Sequence, residues 1–131
     1  RLNVTMEVRG SSAVVSGDRQ LLEELLYNLC DNAIRYNNQG GKVTITTGTE
    51  DGSPFLSVKD TGIGIPGEHQ ERVFERFYRV DKSRSKATGG TGLGLAIVKH
   101  IVAQHGAKIF LDSQISKGTE IRVVFSETLR S

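Results

Sequence analysis

The stretch from Asp18 to Gly41 constrains this chain more than any other. Leu22, Leu25, Leu26, Leu29, Ala33 and Ile34 recur at helical spacing, Asp18 stands where an N-cap belongs, and the polar, glycine-rich Asn37 to Gly41 stops the pattern. The remaining apolar patterns are mostly of period two. Residues 2 to 8 and 13 to 16 read as short strands about a turn at Gly10-Ser11-Ser12. Residues 42 to 47 and 55 to 59 read as a half-buried antiparallel hairpin with Glu50 to Pro54 as its loop. Two more strands, 107 to 113 and 119 to 125, close the chain, with Ile121, Val123 and Phe125 on one face. A short helix is expected from the Thr61 to Gly67 turn through Phe74, and a third from about Leu93 to Gln104, ended by Gly106. The predicted architecture is a two-layer α/β sandwich: a mixed, mostly antiparallel sheet of about five main strands, covered on one face by three helices. Residues 80 to 90 hold few large apolar side chains and are expected to form a mobile surface loop.

A length of 131 residues with 37% apolar and 24% charged positions suits one domain, 1–131, with a single core. The lone Cys30 can form neither an internal disulfide nor a cysteine zinc site, which favours a reducing compartment. No apolar run is long enough to span a bilayer, and a start at Arg1 rather than Met reads as a piece of a longer protein. The net charge of +2 does not call for nucleic acid, and the basic cluster Arg79, Lys82, Arg84 and Lys86 lacks interleaved aromatics.

Three constellations carry chemistry. On the long helix, Asn28, Asn32, Arg35 and Tyr36 fall within an arc of about 100° beside the leucine stripe. Asparagine is a poor mid-helix residue, and two of them one turn apart suggest a shared partner. Their carbonyl oxygens suit Mg²⁺, Arg35 could meet phosphate and Tyr36 could stack on a ring, although helix geometry alone also fits a solvated flank. Next, Gly62-Ile63-Gly64-Ile65-Pro66-Gly67 satisfies G-x-G-x-x-G after a strand. A dinucleotide fold would need a second strand and an acid about twenty residues on, where the chain instead has the basic loop, so the glycines are read as a tight turn beneath a flat ligand. Asp60, just before that turn, could accept a hydrogen bond from the exocyclic amine of adenine, which guanine lacks at that position. Third, Gly89-Gly90-Thr91-Gly92-Leu93-Gly94 opens the last helix, where converging N–H groups and the helix dipole favour an anion. No G-K-S or G-K-T occurs, so this is not a P-loop, and the upstream basic loop stands where a lid over phosphates would stand.

In order, Asn28-Leu29-Cys30-Asp31-Asn32-Ala33-Ile34-Arg35-Tyr36, Asp60-Thr61-Gly62-Ile63-Gly64, Phe74-Glu75-Arg76-Phe77-Tyr78-Arg79 and Gly90-Thr91-Gly92-Leu93-Gly94-Leu95 resemble the N, G1, F and G2 boxes of sensor histidine kinases. Gly118-Thr119 resembles the family's last glycine box, so the likeness runs over nearly the whole chain. It is a resemblance to the catalytic and ATP-binding domain, of the GHKL or Bergerat fold. It implies an N box at 28–36, G1 at 60–64, F at 74–79, a lid at 80–90 and G2 at 90–95. It further implies ATP and Mg²⁺ as ligands: Asn32 on the metal, Asn28 on the phosphate side, Arg35 where many members have lysine, and Tyr36 against adenine. Asp60 would read the adenine amine and Arg79 reach the terminal phosphate. Gly62, Gly64, Ile65, Phe77, Gly90, Thr91, Gly92, Leu93, Gly94 and Thr119 would complete the ATP site. Asn37 departs from the family's usual small hydroxyl residue.

ATPases and serine-directed kinases of the same superfamily carry a glutamate general base four residues before the magnesium asparagine. Here that position is Asn28, an amide that cannot take a proton, so slow hydrolysis is expected of this domain alone. The resemblance therefore implies transfer of the γ-phosphoryl group to a histidine, with Asn28 and Arg79 as the catalytic pair. A GHKL ATPase or serine kinase and a non-catalytic nucleotide sensor remain as alternatives. His69, His100 and His105 do not lie in a sequence like the family's phosphoacceptor segment, so the acceptor is expected on a separate dimerisation domain. The remaining implications are a response regulator downstream, a homodimeric parent with this piece itself monomeric, and a cytoplasmic domain of a membrane-anchored bacterial sensor.

Overall fold

The computed structural model describes residues 5–10, 17–38, 40–75 and 94–126. In chain order they form β1 (Thr5–Gly10), α1 (Arg19–Arg35), β2 (Lys42–Glu50), β3 (Ser53–Asp60), a 3-10 turn (Gly67–His69), α2 (Gly94–Gln104), β4 (Lys108–Gln114) and β5 (Gly118–Val124). The five strands make one sheet in the order β1-β2-β3-β5-β4, in which β1 runs parallel to β2 and every other pair is antiparallel. Both helices pack on one face of this sheet and against each other.

The apolar stripe of α1 is turned inward as its spacing predicts, except at Leu26, which is exposed. Leu25, Leu29 and Ala33 are buried against Leu95, Val98, Ile101 and Val102 of α2 and against Val43, Ile45, Val58, Ile121 and Val123 of the sheet. Asp18 caps α1, its Oδ1 accepting the Leu21 N–H at 3.2 Å. His105 accepts the Asp18 N–H on Nε2 at 3.2 Å while its Nδ1 lies 2.9 Å from the Ile101 carbonyl. Those roles define a neutral ring with its proton on Nδ1, tying the start of α1 to the end of α2. Gly106 ends α2 in the left-handed region with φ 63°. Cys30 is half-buried beside the core, where burial pushes its thiol up and leaves it a packing residue.

Several sequence expectations are corrected. Among the described residues there are two α-helices, not three: the stretch expected to be helical through Phe74 is the single 3-10 turn followed by hydrogen-bonded turns. Its apolar pattern is short, and a stretch of that length repays the cost of helix nucleation poorly. The central hairpin is longer than expected, and its loop is Asp51-Gly52 rather than Glu50 to Pro54. Both loop residues have positive φ, 53° and 83°, the requirement of the two-residue turn that matches strand twist. The strand expected at 13–16, the Ser11-Ser12 part of the first turn and the loop at 80–90 lie outside the described residues.

The face of the sheet away from the helices carries mostly polar side chains, with Phe55 and the exposed Phe110 among them. Glu7 bridges Arg9 at 3.1 Å and Lys42 at 2.8 Å, Ser57 donates to Glu120 at 2.6 Å, and Arg122 pairs with Glu50 while lying 4.1 Å over the Phe55 ring. The open face is thereby furnished for solvent, and the chemistry falls to the helix-covered side.

Candidate nucleotide site

Strand register brings three polar residues into one row at the edge of the apolar core. Asp60 pairs with Thr119 across β3 and β5, and Thr119 pairs with Ser113 across β5 and β4. Each continues the inward stripe of its strand: Leu56, Val58 and Asp60; Ile109, Leu111 and Ser113; Thr119, Ile121 and Val123. A polar group in such a position costs free energy unless it is bonded. All three are.

Asp60 is 5% exposed. Its Oδ1 accepts the Gly62 N–H at 2.8 Å and the Thr119 N–H at 3.2 Å. Among the described residues no hydrogen bond falls on Oδ2, which is left for a further donor. Burial pushes the Asp60 carboxyl up to about 6, against the two backbone bonds, which pull it down. The site therefore holds a carboxylate at neutral pH that gains from an added donor.

The turn after Asp60 is pinned from two sides. The Ile63 N–H reaches the Tyr36 carbonyl at 3.2 Å, and the Ser116 N–H reaches the Ile63 carbonyl at 2.9 Å. The Ile65 N–H donates to Ser113 Oγ at 2.7 Å, and Gln70 Nε2 donates to the carbonyls of Ile65 at 2.9 Å and Ser113 at 3.1 Å. A Cβ at Gly62 would stand 2.3 Å from the Tyr36 carbonyl oxygen, and one at Gly64 2.0 Å from that of Gln114, with φ 77° besides. Both glycines are thus required by the close approach of the chain's own backbone, in keeping with the tight turn expected from the sequence.

Asn37 joins helix, strand and turn. Fully buried, it donates from Nδ2 to the Lys42 carbonyl at 3.0 Å, while its Oδ1 accepts from the Asn38 N–H at 2.8 Å and Thr61 Oγ1 at 3.3 Å. The end of α1 is locked to β2 and to the turn by one side chain. Asparagine here donates from one side-chain atom and accepts on another, so its bonds run in different directions.

The α1 flank is looser. Asn28 donates from Nδ2 to its own helix, to the Glu24 carbonyl at 2.8 Å, and its Oδ1 lies 3.4 Å from where a Cβ on Gly94 would stand. Asn28 thus faces the first residue of α2. Asn32 is half-buried, and among the described residues its side chain makes no hydrogen bond. Arg35 pairs with Asp31 one turn back at 2.8 Å. Tyr36 caps the helix and contributes its carbonyl to the turn. No group of three or more His, Cys, Asp or Glu able to hold a metal occurs among the described residues.

The structure thus gathers Asp60, Thr119, Gly62, Gly64 and Ile65 at one end, and Asn28, Asn32, Arg35 and Gly94 along α1 and the start of α2. Phe77, Arg79, Gly90, Thr91, Gly92 and Leu93 lie outside the described residues. Sequence reasoning missed Ser113, Gln70 and the locking role of Asn37. Ser113 had a signal, a polar residue on the inward face of an alternating strand. Gln70 had none, because its partners are carbonyls 5 and 43 residues away.

The fold is thus a mixed five-stranded sheet with two helices on one face and a buried carboxylate, Asp60, at the end of β3. The model of the histidine kinase-, DNA gyrase B-, and HSP90-like ATPase family matches residues 17–129, and the chain belongs to that family. It is 44% identical over 125 residues to sensor histidine kinase YkoH of Bacillus subtilis, covering 95% of this chain and 27% of that protein. To the sensor-like histidine kinase SenX3 of Mycolicibacterium smegmatis it is 50% identical over 113 residues, 86% of this chain and 29% of that one. The chain therefore spans less than a third of the length of these curated relatives. Among solved structures, a mycobacterial sensor histidine kinase, MprB, superposes with a TM-score of 0.81 at 35% identity, covering 93% of this chain and 80% of that chain.

Proposed function

We propose that this domain binds Mg-ATP and presents its γ-phosphoryl group to a histidine on a separate dimerisation domain, as the catalytic part of a two-component sensor kinase. The observation that carries the reading is the Asp60 row: a buried carboxylate, fixed on Oδ1 by two backbone N–H bonds and open on Oδ2, suits the exocyclic amine of adenine. The likeness to proteins named sensor histidine kinases supports the choice of reaction. Tyr36 would flank the base, Gly62, Gly64, Ile65 and Phe77 would shape its pocket, and Thr119 would add a hydroxyl beside Asp60. Gly90, Thr91, Gly92, Leu93 and Gly94 would meet the phosphates at the start of α2, where N–H groups and the helix dipole favour anions.

The donor set fits Mg²⁺. Asn32 offers an amide oxygen without a side-chain partner among the described residues, and Asn28 keeps its Oδ1 after bonding its helix through Nδ2. One or two protein oxygens with substrate phosphates completing the shell is how Mg²⁺ is usually held. When bound, the ion would neutralise charge on the transferring group. This chain's residues would orient ATP: Arg35, released from Asp31, and Arg79 would grip phosphate oxygens. The acceptor imidazole nitrogen attacks the γ-phosphorus, the bond to the β,γ-bridging oxygen breaks, and ADP leaves. No base is asked of Asn28, because the nucleophile brings its own lone pair.

Mixing the chain with the helical histidine-bearing domain of its own parent protein and γ-labelled ATP is the test. Acid-labile, alkali-stable label on that partner is expected. Label released only as inorganic phosphate, at a rate the partner does not change, would replace this reading with a plain ATPase. In the proposed reaction sequence a response regulator would receive the phosphoryl group from that histidine.

A further inference from the structure

We infer that Ser113 sets the purine specificity of the site: it holds the Thr119 hydroxyl in its accepting state, so that Asp60 and Thr119 select a 6-amino over a 6-oxo purine. The inference rests on the nucleotide reading above. A serine hydroxyl has one proton and two lone pairs. Ser113 Oγ lies 2.7 Å from the Ile65 nitrogen, which can only donate, and 3.1 Å from the Gly118 carbonyl, which can only accept. It also lies 2.7 Å from Thr119 Oγ1, and there either atom could donate. All three bonds coexist in one arrangement only: Ser113 donates to Gly118 and accepts from both Ile65 and Thr119. The Thr119 proton is thereby committed to Ser113, and the threonine oxygen offers other groups lone pairs alone.

Asp60, the next residue in the row, is also an acceptor when ionised, with Oδ2 open. Two adjacent acceptors suit an exocyclic amine, which carries two N–H groups. A 6-oxo group would set lone pairs against lone pairs, and buried polar groups left unpaired in this way are the strongest source of discrimination between near-identical ligands. Ser113 acts through Thr119 and is a positioning residue. Its removal should leave the turn in place, because Gln70 bonds the carbonyls of both Ile65 and Ser113 independently of the hydroxyl.

The experiment is a calorimetric titration of the chain with ADP and with IDP, both with magnesium, for the wild type, Ser113→Ala, Thr119→Val and the double variant. The wild type should prefer ADP. In Ser113→Ala the Thr119 hydroxyl is free to rotate and donate to a 6-oxo group, so the ADP to IDP preference should narrow about tenfold, mainly by a gain in IDP affinity. In the Thr119→Val background, Ser113→Ala should leave the preference where Thr119→Val puts it. Ser113→Cys, which fills the same space with a weaker partner, should narrow the preference in the same direction and serves if the alanine variant does not fold. Equal weakening of both ligands in Ser113→Ala, or an effect of the same size in the Thr119→Val background, overturns the inference and leaves Ser113 a merely structural residue. A wild type that binds neither nucleotide defeats the nucleotide reading itself, a result distinct from either.

Discussion

The two ends of the candidate site are built differently. At the Asp60 end the backbone and the carboxylate are held by cross-links: the turn by Tyr36, Ser113, Ser116 and Gln70, and the carboxylate, on Oδ1, by Gly62 and Thr119. At the α1 end the side chains rest on their own helix, Asn28 on Glu24 and Arg35 on Asp31, both one turn away. The first is a preformed socket and the second a set of groups that can let go. That division fits a ligand with one rigid end and one flexible, charged end, since preorganisation lowers the cost of binding a base while a triphosphate must be gripped as it moves toward an acceptor.

The largest effect is expected of Asp60→Asn, which alters the rigid end alone. The amide can still accept the Gly62 and Thr119 N–H bonds, so the fold should survive, while its NH₂ replaces the open acceptor and should cost about 1.5 to 3 kcal/mol of adenine nucleotide affinity. Titration with ADP checks it; an unchanged affinity would show that the socket is not where the base sits. The same residue predicts a pH dependence. With a folded value of about 6 against an ordinary 3.8, Asp60 holds its proton more tightly in the folded chain, so its contribution to stability is complete below about pH 4 and lost as pH rises through 6. Nucleotide affinity runs the other way, because the ionised form is the better acceptor, and should rise about tenfold between pH 5 and 7. Asp60→Asn should flatten both profiles, measured by thermal melts and by titration across that range.

The α1 end should respond more gently and only through the metal. Asn32→Ala should lower affinity about tenfold with Mg²⁺ and little without it, and should raise helix stability by a few tenths of a kcal/mol, alanine being the better helix former. Equal losses with and without the ion would mean that Asn32 touches the nucleotide directly. Smallest of all, Asp31→Ala removes a partly exposed i,i+4 pair, costing stability about 0.3 to 0.5 kcal/mol, and should leave nucleotide affinity the same or slightly improved, since Arg35 no longer has to leave Asp31. A clear loss of affinity would show that the Asp31 pair aims Arg35 rather than parks it.

Much of this was legible in the chain. The α1 stripe, its Asp18 cap and the Gly106 stop are local signals and appear as read. Asp60 was picked out by its place between a strand and a glycine turn, and Asn28 and Asn32 by being poor mid-helix choices one turn apart. The row that makes Asp60 a socket was not legible, because it depends on β5 lying between β3 and β4, a pairing that no local pattern encodes. The tight turn at Gly62 and Gly64 is legible, but not the carbonyls of Tyr36 and Gln114 that enforce it, which come from elsewhere in the sequence. The expected middle helix was an overreading of a short apolar pattern that a single 3-10 turn satisfies as well.

The central claim is that the chain carries an intact adenine nucleotide site made of one rigid and one metal-dependent end. A calorimetric titration with a non-hydrolysable ATP analogue, with and without Mg²⁺ and against the matching GTP analogue, tests it most directly. Saturable binding strengthened by Mg²⁺ and selective for adenine is the predicted result. Absence of binding at millimolar ligand, or equal binding of the two bases, would contradict it.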